Sequence, residues 1–248
     1  MTSSLSQTTA SQLKGLALPP LENGDRLTRP EFERRYHAMP NLRKAELIEG
    51  VVYMASPLRF TPHAEPHGDL IGWLWTYKTA TPGAQMGIEP TMRLDVDNEP
   101  QPDGVLLISQ ESGGHSTLSD DGYLEGATEL VAEIAASSAA IDLGDKKRAY
   151  RRSGVQEYIV WQVYDQKIDW FQLQDGDYVS LAPDEQGVIH SQVFPGLWLN
   201  VEAMLQGDMR SVLAVLQTGI DTEAHQVFVQ QLEDQRDKTR QASDRQPQ

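Results

Sequence analysis

Apolar and polar positions recur along this chain with two periods, and the switches between them mark out its elements. Residues 28–39, TRPEFERRYHAM, place Thr28 as a helix cap, Pro30 in the first turn and acids early, which predicts a helix. AELIEGVVYM then reads as two strands around a turn at Glu49 and Gly50. In PHGDLIGWLWTYKTAT, Leu70, Leu74 and Tyr77 recur at helical spacing and predict a core-facing helix. AQMGIEPTMRLDV, PDGVLLI and ELVAEIA follow as strands, and IDLGDKKRAYRRSG as a helix from Asp142 that stops at Gly154. QEYIVWQV, IDWFQLQDG and YVSLAPD, separated by Asp/Gly turns, predict a meander.

The pattern fades at both ends. Residues 1–25 are Ser/Thr-rich with a proline pair and predict a flexible arm. Residues 26–216 are expected to form the main mixed α/β domain, and 217–248 a C-terminal helix and disordered tail. Val227 and Leu232 sit near one helical face of that last segment, as either an oligomerisation element or a satellite core helix would require. A chain of 248 residues with 39% hydrophobic content has enough apolar surface for one large core.

Composition narrows the chemistry. With no cysteine, disulfides, thiolate catalysis and cysteine-ligated zinc are excluded. No run approaches the roughly 18 apolar residues of a membrane helix, and the first residues lack a secretory pattern, so the expected compartment is the cytoplasm. The formal charge of -15 works against general affinity for polyanions, although a local basic face can coexist with acidic surfaces and a magnesium site itself needs carboxylates.

Among candidate sites, HAEPH spaces His63 and His67 four apart, but Ala64 stands where a zincin needs Glu and Pro66 interrupts the helix such a motif needs. DVDNEPQPDGVL opens like a calcium loop, yet Pro100 and Leu106 occupy positions that need Gly and Glu, so a polar turn is expected. No phosphate-binding loop, dinucleotide fingerprint or G-x-S-x-G elbow is present.

Asp103, Glu133 and Lys146 form the stronger set. Asp103 precedes the apolar run GVLLI and Glu133 interrupts LVAEIA, so adjacent strands can bring both carboxylates to one sheet edge, where a divalent cation would relieve their repulsion. Asp142, Lys146 and Tyr150 recur every four residues along one helix face, which can aim an ammonium at a phosphodiester. A purely structural ion pair, Glu133 with Arg148 for instance, has the same composition, and Asp103 after Pro102 also suits a turn. The five tryptophans are expected in the core or an interface rather than as base-stacking platforms.

The ordered succession of ELIEGVVYMASP, His67, QPDGVLLI, LVAEIAASSAAIDLGDKKRAYRRSGVQEYIVW and VFPGLWLNVEAML, over about residues 28–216, resembles the Uma-type family of restriction-endonuclease-like proteins, a branch of the PD-(D/E)xK nuclease superfamily. The resemblance implies a mixed central β-sheet flanked by helices and a magnesium-dependent endonuclease, with manganese as a substitute and nucleic acid, DNA before RNA, as substrate. It implies Asp103 and Glu133 as metal ligands, the carbonyl of Ile134 as a third, and Glu46 as an acid assisting through water. Ala135 stands where the superfamily lysine belongs, so the resemblance moves that role to Lys146 on the following helix, supported by Asp142 and four residues before Tyr150. Gly154, Val155, Glu157 and Tyr158 match a structural stretch in which Ile159 replaces the common tryptophan. The acidic charge and displaced lysine leave a second expectation, a nuclease-fold binding or assembly module with little or no cleavage.

Overall fold

The computed structural model describes residues 18–55 and 57–243. Helix α1 (Arg29–His37) leads into the hairpin β1 (Ala45–Ile48) and β2 (Val51–Met54), which turns at Glu49 and Gly50, both at positive φ. A π-turn over Phe60–Ala64 runs into α2 (Glu65–Ala80), followed by β3 (Ala84–Ile88), β4 (Met92–Arg93) and β5 (Gly104–Ile108). After β6 (Thr117–Leu118) and β7 (Leu124–Glu125) comes β8 (Leu130–Ala135). A helical segment, here α3, then passes from Ala139–Ile141 through a π-turn at Asp142–Lys146 to an α-helical stretch at Lys147–Ser153. The meander β9 (Glu157–Gln162), β10 (Lys167–Gln174) and β11 (Asp177–Ser180) follows, and a small hairpin β12 (Val188–His190) and β13 (Trp198–Asn200) precedes α4 (Val201–Leu205), α5 (Met209–Ile220) and α6 (Glu223–Ser243).

The central sheet is mixed, with order β11-β10-β9-β8-β5-β3. Within this sheet, among the described residues, only β8 and β9 pair in parallel, and both are buried along their whole length, as strands covered on two faces must be. Period-two alternation divides their residues between two cores. Leu106, Leu130, Ala132 and Ile134 pack with Trp73, Leu74, Trp161 and Trp170 against α2 and α5. Val105, Leu107, Val131 and Ala135 pack with Tyr150, Tyr158 and Phe171 against α3. Glu133 shares the parity of Val131 and Ala135, so it faces α3.

Local chemistry sets the ends of the elements. Gly154 closes α3 at φ +90, a backbone state only glycine enters cheaply. At the π-turn in α3 the carbonyl of Asp142 accepts the Tyr158 hydroxyl at 3.0 Å, a side chain inserted into the helix ladder. Gly104 lets α2 lie close over the sheet, because a Cβ there would stand 3.3 Å from Ile71 Cδ1.

The expected helices and meander form where the pattern placed them, except that α3 begins at Ala139. Residues 1–17 of the expected arm lie outside the described residues; Leu21, within its remaining part, is buried with Phe32, Ala45, Leu47 and Val52. Helix α6 runs to Ser243, Leu232 turns inward on this chain's own core, and Val227 stays exposed. Of the tryptophans, Trp73, Trp161 and Trp170 are buried, Trp198 is partly buried and Trp75 is exposed. Among the described residues no helix is long and apolar enough to cross a membrane.

Candidate active site

The antiparallel register Gly104↔Ala132, carried one residue outward, sets Asp103 opposite Glu133. Both carboxylates are buried. Asp103 Oδ2 accepts the backbone N–H of Ile134 at 2.6 Å, which ties the acid from the end of one strand to the backbone of the next. Its other oxygen, Oδ1, lies 3.5 Å from His63 Nε2. Glu133 uses Oε1 for two donors, Lys146 Nζ at 3.0 Å and the Tyr150 hydroxyl at 2.8 Å.

Lys146 reaches this point from α3, so the displaced lysine is brought to the second acid. Its Nζ also lies 2.9 Å from Glu46 Oε1 and 3.7 Å from Asp142 Oδ1. Glu46 comes from β1 and is held by the Gln101 N–H at 2.7 Å. Asp142 accepts the Ser138 hydroxyl at 2.6 Å through Oδ2, while Oδ1 is shut from water without a hydrogen-bond donor among the described residues. Arg148 pairs with Asp145 rather than with Glu133.

Three acids therefore surround one ammonium, with Asp103 beside them, and this imbalance governs the protonation states. Burial pushes the Glu133 carboxyl up to about 8, and the charges of Asp142, Asp103 and Glu46 add to that against the opposing pull of Lys146. Burial likewise raises Asp142 despite Lys146 and Ser138. Burial alone would lower Lys146, but Glu133, Glu46 and Asp142 outweigh it and hold the ammonium protonated well above the usual lysine range. Asp103 moves the other way: burial opposes its ionisation, yet His63, the Ile134 amide and Lys44 together hold it below the usual carboxylate range.

The donor set fits a hard divalent cation. It is made of carboxylate oxygens, it carries more negative charge than its one lysine neutralises, and it includes an acceptor, Asp142 Oδ1, with no donor. The arrangement does not bring every candidate ligand to one point equally. The oxygens of Glu46, Glu133 and Asp142 gather on Lys146, whereas Asp103 Oδ1 turns toward the histidines.

That turn corrects one expectation. Pro66 does not spoil the helix; it sits in the first turn of α2, where a missing N–H costs nothing, and the preceding π-turn carries His63 into the same neighbourhood. His67 Nε2 lies 2.9 Å from the carbonyl of Asp103, and the two imidazoles are 5.7 Å apart. The four-residue spacing of the histidines is the signal the sequence carries, and the Glu that a zincin would need is absent from it, with Ala64 in its place. DVDNEPQPDGVL is the polar turn expected: Asp95 accepts from the N–H of Asp97 and the side chain of Asn98.

A family model named Uma2 and described as "Putative restriction endonuclease" matches residues 29–202. The chain belongs to the Uma2 family. All the site residues above lie inside the match, and α5 and α6 lie beyond it. A solved structure, described as a putative nuclease belonging to DUF820 from Anabaena variabilis ATCC 29413, is similar over 70% of this chain and 96% of its own, with a TM-score of 0.54 at 12% identity. At that identity the likeness speaks for the Uma2 chain's fold, a six-stranded mixed sheet with helices, and not for its substrate. No curated protein matches the chain.

Proposed function

We propose that this Uma2 protein is a divalent-metal-dependent endonuclease that hydrolyses phosphodiester bonds, with DNA as its substrate before RNA. The domain that does so would be residues 26–216, with a PD-(D/E)xK core. One observation carries the reading: the ammonium of a helix-borne lysine stands 3.0 Å from the strand-borne acid whose register partner is Asp103. Family membership supports the reaction class.

Asp103, Glu133 and the carbonyl of Ile134 would hold magnesium or manganese, which when bound supplies Lewis acidity and offsets the surplus of acids. The chain's own groups account for the rest. Lys146, kept protonated by Glu46, Glu133 and Asp142, places positive charge where negative charge grows on the phosphoryl oxygens as a nucleophile adds. Tyr150 fixes the Glu133 carboxylate through its hydroxyl, and the Ile134 amide fixes Asp103. Neither acid then needs to reorganise as substrate arrives.

A binding or assembly module is favoured by one specific observation, the net charge of -15, which repels a polyanion. Cleavage of plasmid and single-stranded DNA in magnesium or manganese by wild type, Asp103→Ala and Glu133→Ala discriminates the readings. The endonuclease reading expects both variants to lose metal-dependent cutting while keeping their circular dichroism spectrum. Equal cutting by all three proteins would refute it, and magnesium binding without cutting would favour the module.

A further inference from the structure

We propose that His63, His67 and Asp103 form a nitrogen-and-oxygen centre for a borderline first-row divalent cation, of which zinc is the representative. It goes beyond the magnesium reading, with which it shares only Asp103. One atom from each residue, a ring nitrogen of either histidine and a carboxylate oxygen of the acid, lies within 4.8 Å of the other two.

The separation of His63 Nε2 from Asp103 Oδ1 is the telling distance. At 3.5 Å it is long for a charge-assisted hydrogen bond, which runs to about 2.7–2.9 Å, and Nε2 is shut from water without a hydrogen-bond partner among the described residues. Two ligands about 2.1 Å from a tetrahedral cation stand roughly 3.4 Å apart, so the same spacing is an edge of a metal tetrahedron. An octahedral ion with bonds of that length would need them nearer to about 3.0 Å.

The surroundings are organised for the same purpose. His67 Nε2 faces a carbonyl, which can only accept, so this nitrogen carries the proton and the bond fixes the ring, as an outer hydrogen bond does for metal-bound imidazoles. The Ile134 amide holds Asp103 Oδ2, which leaves Oδ1 directed toward His63. The His63 side chain retains 12% exposure, although its Nε2 is closed to water. Three protein ligands leave a fourth tetrahedral position open for water, the arrangement of a catalytic rather than a structural zinc site. Imidazole nitrogen also selects zinc, copper, iron or nickel over magnesium and manganese, which prefer oxygen.

Calorimetric titration with zinc chloride, on wild type, His63→Ala, His67→Ala and Glu133→Gln, tests the centre. Wild type and Glu133→Gln should each take up one zinc, and either histidine variant should bind more than about 100-fold more weakly, beyond the loss typical of removing an outer hydrogen bond. Long-range proton–nitrogen spectra of the wild type keep the test independent of how the variants fold: zinc should move the ring nitrogens of His63 and His67 and leave those of His190 in place. No zinc uptake by wild type, histidine variants that bind as tightly as wild type, or unmoved His63 and His67 resonances would each overturn the proposal. Zinc bound through both histidines by a protein that cuts no nucleic acid would keep this centre and refute the endonuclease reading.

Discussion

Glu133→Gln separates the two roles a buried carboxylate can play in this protein. The amide is nearly isosteric and its oxygen can still accept from Lys146 and Tyr150, which meet Glu133 at 3.0 and 2.8 Å. Lys146 also keeps Glu46 and Asp142, so the substitution does not strand a buried cation. It removes only a negative charge from a pocket with too many. In the folded protein Glu133 holds its proton up to about pH 8, against 4.5 ordinarily. Between those values the folded state binds a proton that the unfolded chain has released, so wild-type stability from this group is fully present below about pH 4.5 and falls as pH rises toward 8. At about 1.4 kcal/mol per tenfold change in proton affinity the whole interval is worth about 5 kcal/mol. The neighbouring acids share the relief, so the amide should recover on the order of 2–4 kcal/mol at pH 9, or about 4–16 °C in Tm for a chain of this size. Thermal melts without divalent metal should therefore superimpose at pH 4 and separate at pH 9, with the variant the more stable. A variant less stable than wild type at pH 9, or a difference that does not change with pH, would refute the charge-surplus reasoning.

Lys146→Met should destabilise by about 3–5 kcal/mol in urea titrations at neutral pH, since it leaves three acids without a cation; unchanged stability would show that the ammonium is not their counter-charge. Tyr150→Phe should cost about 1–2 kcal/mol from the lost hydroxyl and lower the affinity for magnesium in calorimetry by freeing the Glu133 carboxylate. Gly154→Ala should cost about 1 kcal/mol of Tm-derived stability from backbone strain alone, because no atom stands within 4 Å of the added methyl.

Much of the architecture is legible in the amino-acid sequence. The 3.6 period of Leu70, Leu74 and Tyr77 marks α2, and the apolar runs around Glu133 and Val105 mark the central strands, because those periods are properties of the local backbone. Gly154 and the Glu49-Gly50 pair announce their turns for the same reason. The acids and Lys146 could be singled out as residues at odds with their surroundings, since charge in an apolar run costs free energy unless something answers it.

What answers it was decided in three dimensions. Asp103 meets Glu133 because β5 and β8 pair in one register, and a slip of one residue would send the two carboxylates to opposite faces of the sheet. Lys146 reaches Glu133 because α3 packs on the face that Val131, Glu133 and Ala135 share, with Tyr158 holding its π-turn. His63 comes to Asp103 only through the junction of a π-turn and a helix. Local sequence sets which residues are helical, extended or charged, but register and packing depend on apolar contacts between residues far apart in the chain, and those contacts decided which charges became neighbours.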